Sequence, residues 1–398
     1  NSMAANTSGS NNVALGWASL DANTTADHNT AVGAAALSAN TTGGSNTAVG
    51  SDAGKTCTTG DANTMMGTDS GEDLTTGNRN TLIGAGAGAN ATTPDDLTAV
   101  GYFAGGTAIM TGHDNTCMGT NALTSCTSGA ANTAIGRNCM DANTTAGGNT
   151  AVGYAALTSN TTGDAQVIMG YEAGEDLTTG SHATYLGYRA AFNATIGNYN
   201  TVVGSNTAAA MTTASNNTIV GYGAGGTIID GSSSILIGYE ANVSASGRSE
   251  LVIGTSVVGK GDNTGLIYSP GGGGIYNAAN TTTWNTTSDR RIKKNIEDNT
   301  VGLEKINQIR VRNFEYRTED EIIDFDNPKS AVVNKKGIQL GVIAQEIETV
   351  LPDVVKEEST GVKTVNSDNL TWYLVNAVKE LSTQVDELKA EIQTLKGE

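Results

Sequence analysis

A glycine recurs at steps of 17 residues through most of this 398-residue chain. The spacing changes only twice, to 18 residues before Gly119 and to 16 before Gly254. The glycines that mark the repeat are Gly16, Gly33, Gly50, Gly67, Gly84, Gly101, Gly119, Gly136, Gly153, Gly170, Gly187, Gly204, Gly221, Gly238 and Gly254. A short fixed period predicts a stack of similar units, each of which buries its apolar surface against its neighbours.

Each repeat predicts one coil of a β-solenoid. The residue before the glycine is always Leu, Val, Met or Ile, and the commonest motif is Asn-Thr-Ala-Val-Gly, as at residues 29–33. Seventeen residues are too few for a helical pair, and Gly, Asn and β-branched residues disfavour helix. We therefore predict a mainly β protein whose coils contain two short strands and two turns. Coils about 4.8 Å apart would make a rod about 70 Å long.

The motif also predicts where side chains point. Alternation along a strand places Thr30 and Val32 on one face and Ala31 on the other. We predict that the aliphatic residue before each glycine faces inward and stacks into an interior column. The glycine would allow a sharp corner, and the asparagine would hydrogen-bond the turn backbone. Aromatic residues are only 5% of the chain, so one thin coil buries little apolar surface by itself. We therefore expect the shaft to pack against other chains.

The repeat resembles that of a known family of fibrous proteins. Residues 149–156, NTAVGYAA, are similar to the Asn-Ser-Val-Ala-Ile-Gly-x-x-Ser head repeat of trimeric autotransporter adhesins. That family forms a trimeric, left-handed parallel β-roll with a shorter period. Similar Asn- and Thr-rich repeats occur in phage tail fibres. The resemblance covers about residues 11–256 and implies a trimeric β-fold without naming a ligand.

Charge and composition exclude several classes of protein. Six of the 22 basic and 19 of the 40 acidic residues precede Ser288. The net charge is therefore 6 − 19 = −13 before Ser288 and 16 − 21 = −5 after it. This acidity gives no basic surface for nucleic acid or an anionic membrane, and no apolar run reaches the ~20 residues that span a bilayer. The four cysteines form no CxxC pair, and we expect them to be buried in a reducing compartment.

The composition changes abruptly at residues 288–296, SDRRIKKNI. With residues 341–346, GVIAQE, and the Leu-Pro-Asp-Val sequence at 351–354, this stretch resembles the C-terminal intramolecular chaperone of endosialidases and phage tail fibres. The resemblance covers residues 288–398. Members of that family trimerise, guide the folding of the β-stalk before them, and then cut themselves off at the serine. A related domain of membrane-tethered transcription factors follows a basic DNA-binding domain, which this chain lacks.

The resemblance makes Ser288 the nucleophile and Lys293 its general base. A serine hydroxyl needs a base, and a lysine can be one when partial burial lowers its pKa. Attack by Ser288 on the preceding carbonyl would close a five-membered ring, whereas attack on its own carbonyl would need a four-membered one. Cleavage is therefore predicted beside Ser288, before it or at its bond to Asp289, and the choice stays open. The alternative is a solvated charged loop.

The chain ends in a predicted coiled coil, residues 369–396. The apolar residues that step by four and three along it are Leu374, Val378, Leu381, Val385, Leu388, Ile392 and Leu395. β-Branched residues at a with Leu at d favour two strands, whereas both family resemblances favour three, and we predict three. Upstream, Val301 to Ile309 predict a short helix, and Ile338 to Val342 predict a strand before a helix that ends at Pro352.

Two other features of the shaft are candidates for binding. Tyrosines follow several repeat glycines and would form a ladder on which sugars could stack; they are Tyr154, Tyr171, Tyr188, Tyr222 and Tyr239. The alternative is an aromatic stack that stiffens the rod. The acidic sequence GEDLTTG, at 71–77 and again at 174–180, indicates solvated turns, with a calcium site as the alternative. We predict no cofactor, no metal site and no catalytic site in the shaft.

These observations predict three regions: a β-solenoid shaft at 1–258, a Gly-rich neck at 259–287 and a self-cleaving chaperone at 288–398. The predicted function is a homotrimeric phage tail fibre, assembled in the host cytoplasm, that binds a host-surface receptor such as a glycan. Because the chain begins at Asn1 inside the repeat, we expect a missing N-terminal part to join other virion proteins. The alternatives are a polysaccharide-degrading tailspike and a bacterial trimeric adhesin, which would need a membrane barrel.

Overall fold

A computed structural model describes residues 2–244, 247–270, 273–277, 284–286, 290, 293–323, 332–333, 335–358 and 361–397. The chain divides into two compact units, Asn1–Thr287 and Ser288–Glu398. Each unit is described by itself below. No helix within the described ranges has the length and the apolar character needed to cross a membrane.

The first unit is a parallel β-solenoid with one three-residue strand in each coil. The strands are β1 Val13–Leu15, β2 Thr30–Val32, β3 Thr47–Val49, β4 Thr64–Met66, β5 Thr81–Ile83, β6 Thr98–Val100, β7 Thr116–Met118, β8 Thr133–Ile135, β9 Thr150–Val152, β10 Val167–Met169, β11 Thr184–Leu186, β12 Thr201–Val203, β13 Thr218–Val220, β14 Ile235–Ile237 and β15 Leu251–Ile253. Each pairs in parallel with the next, and equivalent residues are partners, as in Ala31 with Ala48. The predicted mainly β solenoid is confirmed.

The prediction of two strands per coil was wrong. Between strands the chain turns through residues with left-handed backbone angles, such as Ala35 (φ 53°) and Leu37 (φ 51°), which interrupt an extended strand. The turns still join neighbouring coils: the nitrogen of Leu37 donates to the main-chain oxygen of Ala53 at 3.0 Å. The coils therefore stack by backbone hydrogen bonds on the strand side and also through the turns.

The predicted direction of the strand side chains was also wrong. The middle residue of each strand points inward, so Ala31 and Met65 are fully buried, whereas the aliphatic residue before the glycine points outward, with Met66 43% and Ile83 37% exposed. Turn residues such as Leu37 fill the rest of the narrow interior. Period-two alternation along a strand separates two faces but does not determine which face is buried. The turn side chains that share the interior determine which face is buried.

The asparagines and glycines of the motif hold neighbouring coils together. The Oδ1 of Asn46 accepts hydrogen bonds from the main-chain nitrogen and Nδ2 of Asn63, at 2.9 and 3.0 Å, and the Nδ2 of Asn46 donates to the turn carbonyl of Gly60 at 2.7 Å. The predicted bond from asparagine to the turn is thus confirmed. Gly33 has φ +140°, and a Cβ there would lie 2.2 Å from the oxygen of Gly50. Close stacking therefore requires glycine at the corner.

The solenoid sheet continues beyond its last coil as an antiparallel meander. Strand β16, Gly265–Ser269, pairs in parallel with β15 and antiparallel with β17, Gly273–Asn277. Strand β18, Trp284–Thr286, then pairs antiparallel with β17. The segment predicted as a Gly-rich neck therefore contains regular sheet.

The second unit is a small α+β assembly. Its elements are α1 Leu303–Ile306, β19 Arg312–Phe314, a 3-10 turn Glu319–Glu321, β20 Gln339–Gly341, α2 Ala344–Glu348, a 3-10 turn Pro352–Val354, β21 Val355–Glu357, β22 Lys363–Val365 and α3 Ser367–Lys396. Two antiparallel pairs form, β19 with β20 and β21 with β22. The core contains Ile347, Leu351, Val354 and Tyr373. The helix expected to reach Pro352 ends at Glu348.

Candidate functional site

The predicted nucleophile and cleavage site, Ser288 and Asp289, lie outside the described residues. Lys293 is described and exposed, and its main-chain nitrogen donates to the oxygen of Arg290 at 3.1 Å. The Ser–Lys arrangement therefore stays a prediction.

Helix α3 anchors the chain that follows this basic motif. The Nδ2 of Asn376 donates to the main-chain oxygens of Asn299 and Val301, at 2.7 and 3.2 Å. Glu380 accepts a hydrogen bond from the main-chain nitrogen of Leu303 at 2.8 Å, which caps the start of α1. The heptad pattern predicts α3 only as a coiled coil and does not indicate this anchoring role. The polar residues Asn376 and Glu380, on the face of the helix away from the heptad seam, were the available signal.

The GVIAQE motif joins β20 to α2, and its glutamate has a structural partner. The carboxylate of Glu346 accepts two hydrogen bonds from Arg312, at 2.6 Å from Nη2 and 3.2 Å from Nε. These bonds lower the pKa of Glu346 and raise the pKa of Arg312. Glu346 thus ties α2 to β19, a charge-assisted fork that the sequence alone did not identify.

A second contact ties α3 to the turn that follows α2. The hydroxyl of Tyr373 donates to Oδ2 of Asp353 at 2.6 Å, and this carboxylate raises the pKa of the tyrosine. Asp353 lies within the Leu-Pro-Asp-Val sequence, so two stretches that carry the family resemblance contribute to holding the unit together. The arrangement positions α3 against the rest of the unit.

The predicted tyrosine ladder is present in the shaft as two stacks. Ring centroids lie 5.1 Å apart between Tyr154 and Tyr171 and 5.3 Å apart between Tyr171 and Tyr188. Tyr222 and Tyr239 form the second stack, at 5.4 Å. All five side chains are 41–51% exposed. The geometry suits either an external ligand or a stiffening stack, so binding stays a prediction.

Acidic residues in or beside the two GEDLTTG turns of the shaft pair with basic residues. Glu72 lies 3.3 Å from the Nζ of Lys55, and Glu172 lies 3.3 Å from the Nε of Arg189. Across the described ranges, no group of three or more His, Cys, Asp or Glu residues could hold a metal ion. The first turn, residues 71–77, is thus ion-paired through Glu72, whereas Glu172 lies just before the second turn, residues 174–180.

The four cysteines are free and buried, as their spacing predicted. Burial raises the pKa of Cys57 and Cys126 to about 11 and that of Cys139 to about 12. It also raises the pKa of Cys117. A thiol held in its neutral form is a poor nucleophile, so these residues serve as apolar filling.

Two comparisons with known proteins bear on this arrangement. Residues 288–356 match the family model described as chaperone of endosialidase. The chain is also 29% identical over 162 residues to the long tail fiber protein Gp37 of Salmonella phage S16, covering 37% of this chain. The chain spans about a fifth of the length of that relative, 20%. The chain thus combines a β-solenoid with a C-terminal chaperone-of-endosialidase segment, as its resemblance to phage tail fibres predicted.

Proposed function

We propose that this chain is a phage tail fibre protein whose C-terminal unit brings three copies together, guides the folding of the solenoid and then detaches by cleavage beside Ser288. The observation that carries the proposal is the order of parts: the chaperone-of-endosialidase match begins at residue 288, directly after the solenoid unit ends at Thr287. The fibre would be a virion component assembled in the host cytoplasm and joined to other tail proteins.

The solenoid is a structure that needs such help. Its strands pair through equivalent residues of nearly identical coils, so copies displaced by one coil would fit almost as well. Parallel pairing between distant residues is also slow, and exposed edges favour aggregation meanwhile. A unit that aligns three chains at one end would remove this ambiguity before the coils form.

The exposed seam of α3 supports association of three copies. Its seven heptad residues, Leu374 to Leu395, are 40–69% exposed in the single chain. Residues of this pattern bury their side chains between helices of a coiled coil. Because Asn376 and Glu380 anchor residues 299–303 to the same helix, assembly of α3 would also fix the segment that follows the cleavage motif.

The cleavage step uses Ser288 as nucleophile and Lys293 as base. The serine hydroxyl oxygen adds to an adjacent backbone carbonyl while Lys293 takes its proton. Lys293 then returns the proton to the amide nitrogen as the C–N bond breaks, which leaves an ester and a free amine. Water hydrolyses the ester to a carboxylate and restores the serine hydroxyl. Lys293 is exposed in the single chain, so the partial burial that a lysine base needs would have to come from neighbouring copies. Cleavage would thus follow assembly.

Mass spectrometry of the expressed chain tests this proposal. We expect fragments of about 287 and 111 residues from the wild type, and an intact chain from Ser288→Ala and Lys293→Ala. Lys294→Ala is the matched control and should be cleaved normally. Complete cleavage of Ser288→Ala would disprove the assignment. The fragment masses also show which bond beside Ser288 is cut.

A second candidate function, receptor binding by the tyrosine ladder, is favoured by its exposure. Aromatic rings along one side of a fibre offer apolar platforms for a host-surface glycan. Replacing Tyr171 by Ala should weaken binding of the mature fibre to host cells without changing its melting temperature. A lower melting temperature with unchanged binding would instead support the stiffening role. Incubating the mature fibre with capsular polysaccharide tests the alternative of a polysaccharide-degrading tailspike, because only a degrading protein would cleave the polysaccharide.

A further inference from the structure

The outward face of the solenoid carries a continuous aliphatic column. The last residue of each strand from β1 to β15 points outward and is Leu, Val, Met or Ile in every coil. The members of this column are Leu15, Val32, Val49, Met66, Ile83, Val100, Met118, Ile135, Val152, Met169, Leu186, Val203, Val220, Ile237 and Ile253. Parallel pairing of equivalent residues places them directly above one another.

A second outward column runs beside the first. It consists of the first residue of each strand, which is Thr in most coils and Val, Ile or Leu in the others. Neither column contains a charged residue, although 16% of the chain is charged. A strand with one face in water normally places polar residues on that face. We call the two columns together the outer stripe. Its last-residue column is wholly aliphatic, which is unusual for a face left in water.

The size of the outer stripe matches a protein interface. Fifteen coils about 4.8 Å apart and three residues of about 3.3 Å give an area of about 70 × 10, or ~700 Å². The whole stripe approaches the ~800 Å² that a standard interface buries per partner, and its aliphatic column, roughly half of that area, is comparable to the patches of about 300–600 Å² that are the largest on monomeric proteins. A single chain that left this stripe in water would therefore be unusual.

We propose that the outer stripe of one chain packs against the outer stripes of its copies, parallel and around a common axis. This proposal rests on the proposed trimer and names the surface that holds the shaft together. The periodicity selects the partner: another copy has the same coil spacing, so each aliphatic layer meets an aliphatic layer along the whole length. A partner with another spacing would meet the column only at intervals.

Charge placed in the stripe tests the proposal. In the matured shaft, Ile135→Glu together with Met169→Glu should reduce the mass measured by light scattering to one third, because six carboxylates would face one apolar seam in the trimer. The control is Thr145→Glu with Thr179→Glu, exposed turn positions of the same two coils, which should remain trimeric. A monomeric wild-type shaft would overturn the trimer itself. A trimeric wild type whose stripe variants are equally trimeric would overturn only the stripe.

A gentler variant covers the case in which the glutamates prevent folding. Ile135→Cys should be joined to a copy by a short bis-maleimide cross-linker, giving dimers on a denaturing gel because each linker joins two thiols and each chain offers one. Thr145→Cys should give monomers under the same conditions. The four native cysteines are buried, so they should not react. Cross-linking of Thr145→Cys and not of Ile135→Cys would place the interface elsewhere and overturn the proposal.

Discussion

At the scale of single residues, the corner glycines set how closely neighbouring coils approach. Gly136 has φ +137°, and a Cβ there would lie 2.2 Å from the oxygen of Gly153. The nearby Gly148 also has a positive φ, but nothing lies within 4 Å of its Cβ position. The equivalent residues of the adjacent coils are Ala131 and Ala165, both with φ 55°. Both positions therefore strain the backbone of an alanine, but only Gly136 adds a clash with the next coil.

We predict that Gly136→Ala lowers the stability of the matured shaft by about 2 kcal/mol or more, because backbone strain of about 1–3 kcal/mol adds to a clash with the next coil. Gly148→Ala should cost less, about 1–2 kcal/mol, because it adds left-handed backbone strain without a clash. Thermal unfolding of both variants measures the difference. Equal melting temperatures would show that the coils can separate at the corner without cost.

The buried asparagine column supplies the second residue-scale prediction. Asn63 accepts bonds from the main-chain nitrogen and Nδ2 of Asn80, both at 2.9 Å, and donates to the oxygen of Gly77 at 2.9 Å. Asn63→Ala should destabilise the shaft by about 2–5 kcal/mol, since each buried polar group left without a partner costs about 1–3 kcal/mol. The control Asn193→Ala removes one exposed bond and should cost little. Denaturant unfolding compares the two, and similar losses would contradict the role of the column.

At the scale of elements, the pair between α2 and β19 should make the second unit sensitive to acid. Arg312 lowers the pKa of Glu346 below its ordinary value of 4.5, so the carboxylate contributes stability above that pH. The contribution is lost as the pH falls through the lowered pKa. Because the pair is partly exposed, we expect a small effect.

Glu346→Gln, made in the uncleaved Ser288→Ala chain, should lower the melting temperature of the C-terminal unit at pH 7 and not well below pH 4. Calorimetry at both pH values measures this. Glu304→Gln, at an exposed position, should show no such pH-dependent difference. If Glu346→Gln lowered the melting temperature equally in acid, the effect would come from packing and not from charge.

Helix α3 is the element on which the proposed assembly depends. Val385→Asp places a charge in the middle of the proposed seam, and we expect it to abolish trimers of the full chain and to prevent cleavage. Thr383→Asp lies on the outer face of the helix, away from the heptad seam, and should be tolerated. Light scattering gives the mass, and gel electrophoresis gives the extent of cleavage. If the Val385→Asp chain were trimeric and fully cleaved, the heptad seam would have no role in assembly or cleavage.

At the scale of the whole molecule, the order of events should be irreversible. If the C-terminal unit aligns the chains as proposed, it would contribute nothing further once the coils have closed, and its removal would leave a product that cannot easily refold after opening. We predict that residues 1–287 expressed alone aggregate or misassemble. The same residues matured from the full chain should form a soluble trimer that resists heat and detergent. Electrophoresis without boiling compares the two preparations, and equal assembly would leave residues 288–398 without a chaperone role.

The sequence by itself determined the features that depend on periodicity and on local motifs. The 17-residue step predicted a parallel solenoid, and the same step placed Tyr154 above Tyr171 because equivalent residues stack. The motif at 288–296 identified the chaperone segment that the family comparison also finds. Heptad spacing predicted the long helix observed as α3. Each of these features needs only spacing along the chain.

Only the tertiary structure decided which way the strands face. Thr30 and Val32 share a face in any strand, and nothing local distinguishes inside from outside. The turn residues settle it, because Leu37 already occupies the interior and leaves room there only for Ala31. The contact of Glu380 with Leu303 likewise joins residues 77 positions apart, so it follows from how helices pack. Spacing fixes which residues lie together on one face, and the filling of the interior fixes whether that face is buried.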